Sequence, residues 1–458
     1  MRELSISVAA GEAPDRECVV EGGNTHTFAD VAERVASAVE RLRELGVQSG
    51  TRVALTPRAD LDSVVWLFAL FELGAPALLL HPRLTVRERT SLAARVSVRR
   101  TLDERPPTGL AKTADSEDIS SEQTLAIVYT SGTSGAPRGA VLSRRAFVAS
   151  ARAHAANLGW RDDDRWLLTM PPAHVGGLSI LTRSLIARRC VVLAPGPFDA
   201  SDLVATMGRD RVTLLSVVPT MLHRLLDTDP KWQPHPELRA VLVGGAAFHD
   251  SLRERAADRG IPVLGTYGCT EACSQVATQS LAQVGTRGSG SPLEGIELRI
   301  EDGEIQVRGD VVMDGYVGEP HSSDAFSDDG WLRTGDLGEI GSDGQLHVRG
   351  RRDDTIITGG ENVDPVEVEA WLESQPGIVS ACVFGVPDDE YGEAVAAALV
   401  VHSDVYDEST IQSRMKRELA GHKQPRGVAL LDELPLNASG KVDRRAVAER
   451  SRGDLRPI

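Results

Sequence analysis

The chain has 458 residues, 41% of them hydrophobic and 25% charged, a composition that excludes collagen, coiled coil and wholesale disorder and leaves room for two or three globular domains. Its 50 basic and 66 acidic residues leave a net charge of −16, which argues against nucleic acid as a partner, because phosphate binding needs a basic face. An anionic small substrate stays open, since a pocket can be locally basic in an acidic protein.

The N-terminal apolar run is short and soon meets charges, so it does not read as a signal peptide. Residues 27–45 repeat apolar side chains at helical spacing through Val31, Val35, Val39 and Leu42, and Gly46 closes the pattern. Residues 53–57 read as a buried strand, 60–74 as a helix and 77–80 as a strand. The apolar region 64–80 is interrupted by Glu72, Gly74 and Pro76, so no membrane insertion is expected. Residues 101–122 are polar, without a clear period, and read as a connection. Alternation then resumes: strand 125–129, helix from 143, strand 166–169, helix from 177, strand 190–194, then strands at 214–218, 240–243 and 263–266. Such alternation predicts βαβ units and mostly parallel sheets.

Beyond about residue 285 short strands are punctuated by Asp-Gly at 302–303, 329–330 and 343–344, the signature of a small antiparallel unit. From Gly350 onward a helix at 365–374, strands at 378–384 and 394–401, a helix at 408–419 and a strand near 428 form a compact α+β unit. The fold class is therefore α/β: a large N-terminal domain of mostly parallel sheets with helices and a small β unit, followed by a small α+β domain. Cys18, Cys190, Cys269, Cys273 and Cys382 are scattered, with no CxxC pair and no zinc spacing, as expected of reduced thiols in a cytoplasmic protein.

Five motifs carry chemistry. Thr130, Ser131, Gly132, Thr133, Ser134, Gly135 and Arg138 follow an apolar strand. Glycines there permit close backbone approach, hydroxyls and amides donate to phosphate oxygens, and Arg138 adds a cation. Tyr267, Gly268, Thr270 and Glu271 again follow a strand; a carboxylate beside a hydroxyl suits Mg²⁺ held against a phosphate, and Tyr267 offers a stacking ring. Asp336, in a Gly-rich turn, suits ribose hydroxyls. Gly350 to Asp354 with Gly359 to Asn362 form the fourth motif, and Lys441, presented after Gly440, is a point charge able to reach a buried anion.

In this order the motifs, spanning 124–445, resemble those of the adenylate-forming superfamily of acyl- and aryl-CoA synthetases, adenylation domains and luciferases. The resemblance implies an N-terminal domain over 1–349, a hinge at 350–353 with Asp353 at its pivot, and a mobile C-terminal domain over 354–458. It implies ATP, Mg²⁺ and CoA as reactants, with a carboxylic acid activated as its adenylate and then passed to the CoA thiol. Thr130 to Arg138 would grip the triphosphate, Thr270 and Glu271 the α-phosphate region and Mg²⁺. Gly244, Gly245 and Ala246 with Tyr267 would frame adenine, Asp336 would hold the ribose with Arg351 nearby, and Lys441 would stabilise developing charge. Arg138 stands where many relatives have Lys, and Cys269 where Met is frequent; packing is expected of Cys269.

His174 matches the region where relatives place a gating residue near the acyl pocket, and an ordinary core histidine is the plainer alternative. Residues 174–184 and 267–278 most resemble the o-succinylbenzoate–CoA ligase family of menaquinone biosynthesis. That acid carries a second carboxylate which, if buried, needs a partner. Arg183, Ser274 and Gln275 are the candidates, although Arg183 could equally be an exposed helix arginine. Another acyl- or aryl-CoA ligase, an adenylation enzyme serving a carrier protein, and a nucleotide-binding regulator without catalysis are the competing readings. A homo-oligomer is compatible with all of them.

Overall fold

The structure, a computed structural model, describes residues 2–109, 119–130, 137–194, 196–228, 232–320, 324–437 and 440–457. Two large, mostly parallel sheets share one apolar core. The first contains Val53–Leu55, Ala77–Leu79, Arg100–Leu102 and Thr124–Thr130 in parallel, extended by antiparallel Arg138–Ser143. The second contains Glu17–Glu21, Arg165–Leu168, Cys190–Leu193, Leu214–Val217, Ala240–Val243 and Val263–Cys269 in parallel, with antiparallel strands at both edges.

Helices pack against and between these sheets, and local chemistry explains their ends. Phe28–Glu44 starts at a reciprocal Thr27–Asp30 capping box. Leu61–Leu73 starts at Asp60, whose carboxylate accepts the Ser63 amide, and stops at Gly74 in the left-handed region. Its apolar residues point all round, which fits a helix buried among neighbours, and at 13 residues it is too short to span a bilayer. Among the described residues no helix is long and apolar enough to cross a membrane.

Ile296–Glu301, Glu304–Gly309, Leu332–Ile340 and Leu346–Arg351 form the expected antiparallel unit. Asp302 and Gly303 both have positive φ, the geometry of a tight two-residue hairpin. The last region is a six-stranded sheet built around Ile378–Asp388 and Gly392–Val401, carrying Pro365–Glu373, Glu408–Glu418 and Arg444–Ser451. It has its own apolar core, including Val368, Leu372, Val383, Leu399 and Ile411. The expected hinge overlaps regular structure: Gly350 and Arg351 finish the strand Leu346–Arg351, and Asp353 lies in the following turn Arg352–Asp354.

Some elements differ from the sequence pattern. Arg138–Ser143 is a strand antiparallel to Thr124–Thr130, with Thr130 opposite Arg138, where the sequence pattern predicts no strand. Residues 100–102 form an edge strand at the start of the stretch expected to be irregular. Ser274–Thr278 is a strand reached through Cys273 and Ser274, both at positive φ, and no local alternation announces it.

Candidate active site

The motifs converge because the parallel strands deliver them at one edge. Ala240–Val243 ends at Gly244 and Gly245, and its neighbour Val263–Cys269 carries Tyr267 and Gly268. A Cβ on Gly244 would lie 2.5 Å from the Thr266 carbonyl oxygen, and one on Gly268 would lie 1.7 Å from that of Ser274, so both glycines are required for backbone approach. Ala246 and Gly245 are exposed beside them.

Tyr267 is buried and its hydroxyl donates to Asp336 Oδ2 at 2.8 Å. Arg351, directly opposite Asp336 in the sheet, places Nε 3.3 Å from Oδ1. Lys441 reaches into this group from the C-terminal unit, its Cε 3.1 Å from where a Gly245 Cβ would stand. Burial lowers the Lys441 pKa against the opposing pull of Asp336, and burial raises that of Asp336 against Arg351, Tyr267 and Lys441. The Lys441 turn is fixed from both units. Its amide donates to Asn437 Oδ1 at 3.1 Å, Thr220 Oγ1 donates to the Gly440 carbonyl at 3.0 Å, and Arg83 donates to the Asn437 carbonyl at 3.3 Å.

Glu271 follows Thr270 in a single turn, and its Oε1 accepts the Tyr316 hydroxyl at 2.8 Å. Its other oxygen accepts no hydrogen bond among the described residues. One such carboxylate suits Mg²⁺, which keeps water and phosphate oxygens as its remaining ligands. Arg138 stacks over the Tyr316 ring at 3.8 Å and pairs with Glu319 and Asp324. Thr130 Oγ1 donates to the Arg138 carbonyl at 3.4 Å, whereas Ser131, Gly132, Thr133, Ser134 and Gly135 lie outside the described residues. Burial first, then Glu271 and Asp336, push the Cys269 thiol well up, which suits packing and not nucleophilic attack.

The other candidates gather deeper in the core. Arg183, on the helix Val175–Ala187, is only 2% exposed, which rules out an ordinary surface arginine. Its Nη2 donates to Ser150 Oγ at 2.8 Å, and Ser150 donates onward to the Cys273 carbonyl at 3.0 Å. It has no carboxylate partner among the described residues, and burial lowers its pKa to about 10. Gln275 is committed to the protein: its Oε1 lies 3.1 Å from His154 Nδ1, and its amide donates to Thr266 and Thr278. Ser274 holds positive φ beside them, at 89°. His174 sits at the N-cap of the Arg183 helix, and its ring centroid is 4.7 Å from that of His81. Sequence reasoning missed His81, Ser150 and His154; only the polar residue ending the strand at 77–79 left a local trace.

A cavity of about 360 Å³ bordered by Arg16, Arg165, Arg188 and Arg189 lies at the opposite, N-terminal ends of the parallel strands. Its arginines pair with Asp162, Glu17 and Glu12, so they neutralise one another's surroundings and present no anion site.

The family model for AMP-binding enzyme matches residues 6–114 and 89–317, and that for AMP-binding enzyme C-terminal domain matches 367–441. A 2-succinylbenzoate–CoA ligase of Bacillus cereus is 36% identical over 465 residues, spanning 95% of this chain and 96% of the relative. An o-succinylbenzoate CoA synthetase from Bacillus subtilis, solved in complex with its acyl-adenylate intermediate, superposes with a TM-score of 0.87 at 33% identity, covering 96% of each chain. A double mutant of that enzyme bound with a product analogue superposes less closely, with a TM-score of 0.71 at 32% identity and 97% coverage of each chain.

Proposed function

The chain belongs to the AMP-binding enzyme family, and on that premise we propose that it is an acid–CoA ligase that converts 2-succinylbenzoate, ATP and CoA into 2-succinylbenzoyl-CoA, AMP and diphosphate. A carboxylate oxygen attacks the α-phosphorus, a new P–O bond forms and the bond to diphosphate breaks. The CoA thiolate then attacks the acyl carbon, and the C–O bond to AMP breaks.

The reaction class is supported by the placement of Lys441 against Gly245 and Asp336. There its charge faces the point where carboxylate and α-phosphate must both carry negative charge. Tyr267 with Gly244, Gly245 and Ala246 would border the adenine, and Asp336 with Arg351 would hold the ribose hydroxyls. Thr130 to Arg138 and Thr270 would hold phosphate oxygens. Mg²⁺ held by Glu271 would offset phosphate charge. For Arg138 to turn toward the phosphates it must leave Glu319 and Asp324, an exchange of one set of anions for another.

The observation that carries the choice of acid is Arg183. A buried guanidinium without a carboxylate partner among the described residues is what a second, non-reacting carboxylate of the substrate would satisfy. Ser274 and Gln275 would shape the same end, Gln275 by holding His154 in place. His174 would border the acyl chain between the two ends.

We further propose that 1–349 and 354–458 are two domains and that 350–353, with Asp353, lets the smaller one turn between half-reactions. The closer superposition on the adenylate complex than on the product-analogue complex, at matched coverage, supports such a turn. The test is AMP release with ATP, Mg²⁺ and CoA, comparing 2-succinylbenzoate with benzoate and a medium-chain fatty acid. Strong preference for 2-succinylbenzoate supports the assignment. Activity with another acid alone replaces the substrate, and acid-independent behaviour throughout overturns the ligase reading.

A further inference from the structure

His81 follows the strand Ala77–Leu79, which runs parallel to Thr124–Thr130 with Leu79 opposite Val128. It therefore arrives at the same edge as Thr130. The residue is 8% exposed. Its Nδ1 accepts the Arg83 amide at 3.1 Å, so the neutral ring carries its proton on Nε2. That Nε2 is buried and has no hydrogen-bond partner among the described residues.

The surroundings link this unmet donor to both ends of the site. The His174 ring lies 4.7 Å away, centroid to centroid, at an angle of 41°. Two residues on, Arg83 donates to the Asn437 carbonyl, and Asn437 accepts the Lys441 amide. The segment 81–83 thus stands between the residue proposed to border the acid and the turn that presents Lys441. Burial first, and then the Arg83 charge, lower the His81 pKa to about 4, so the ring is a neutral donor near pH 7. A buried donor without an acceptor is unfavourable, and an acceptor supplied by a ligand is one way such a donor is satisfied.

We propose that the His81 Nε2–H donates a hydrogen bond to the non-attacking oxygen of the acid's reacting carboxylate. This rests on the ligase reading given above. A neutral donor holds that oxygen without transferring a proton, and so aims the other oxygen at the α-phosphorus.

Two substitutions separate this role from a structural one. His81→Asn keeps an acceptor near the Nδ1 position, for the Arg83 amide, and lacks a donor at Nε2. His81→Gln places an amide donor near the Nε2 position and loses the Nδ1 acceptor. Acid-dependent AMP release is measured at saturating ATP, with KM for ATP and thermal midpoints alongside. The expected result is a fall in kcat/KM for the acid of roughly ten- to hundredfold in His81→Asn, an unchanged KM for ATP, and recovery of most of the loss in His81→Gln. Wild-type kcat/KM in His81→Asn, or a larger loss in His81→Gln than in His81→Asn, overturns the proposal. Should either variant not fold, ¹⁵N-histidine spectra of the unmodified enzyme decide. Adding the acid must shift the one Nε2–H resonance that His81 contributes, and no shift overturns the proposal. An unmodified enzyme that releases no AMP with any acid overturns the ligase reading itself.

Discussion

Arg239 and Arg183 are both buried arginines, and the protein treats them in opposite ways. Arg239 Nε and Nη2 meet the two Asp164 oxygens at 2.8 and 2.6 Å, and its remaining N–H groups reach the Leu158 and Gly159 carbonyls. Burial works against the Asp164 carboxylate, yet Arg239, the Arg161 amide and Thr213 carry its pKa below the usual range. Arg183 donates to one serine hydroxyl oxygen, lies 6.0 Å from the Trp166 ring, and has no carboxylate beside it among the described residues. The first arrangement is complete in the protein alone and serves the fold. The second leaves a charge with no carboxylate beside it among the described residues, which is the ground for the proposal that the acid's second carboxylate supplies one.

Breaking the complete pair gives the largest expected effect. Asp164→Ala strands Arg239 as an uncompensated buried charge and should lower folding stability by about 3–5 kcal/mol, read as a shift of the urea midpoint. Stability equal to wild type would show that the Arg239 site is not the closed unit its geometry indicates.

A third cation sharpens the contrast, because Lys441 faces Asp336 and yet is the one proposed to act on the reacting groups. Lys441→Ala should slow adenylate formation roughly hundred- to thousandfold, while thioester formation from preformed adenylate survives. Equal loss of both half-reactions would remove its assigned role.

Arg183→Met should behave unlike Asp164→Ala. Replacing an unpaired buried charge by an apolar chain of similar length should leave stability within about 1 kcal/mol of wild type, or above it. Use of 2-succinylbenzoate should fall while a mono-acid is still accepted. Unchanged kinetics with the dicarboxylate would return Arg183 to a structural role.

The smallest effect is on pH dependence. Burial, and then the Arg183 charge, push the His154 pKa well below its usual 6.5. A histidine depressed in the folded state contributes stability that is present above pH 6.5 and is lost as the pH falls toward the folded value, because the unfolded chain takes up the proton first. Arg183→Met removes part of that depression, so the acid limb of the stability curve should become shallower. Neutral-pH stability is the internal reference, and a steeper limb would contradict the placement of the two residues.

What could be read along the chain was whatever chemistry is local. The hydroxyls and glycines of 130–138, the carboxylate of Glu271 after a strand and the lysine after Gly440 declare themselves within a few residues. Element types were legible for the same reason, since periodicity and capping act over one or two turns: the helix Phe28–Glu44 and the hairpin at Asp302 and Gly303 formed as their patterns dictate. The strand Ser274–Thr278 was not legible, because its pairing with Val263–Cys269 and its entry through positive φ are imposed by neighbours.

The sequence alone therefore determined the family, the order of the α/β and α+β regions and the reagents at the phosphate end. Only the tertiary structure decided which polar groups are satisfied. Tyr267 finds Asp336 across 69 residues, Arg183 finds Ser150 across 33, and His81, beyond the end of a strand, meets His174 at the start of a helix. Burial and pairing depend on everything that closes around a side chain. Arg183 reads along the chain either as a carboxylate partner or as a solvated helix arginine, and only packing removes the second reading by burying it without a carboxylate beside it among the described residues.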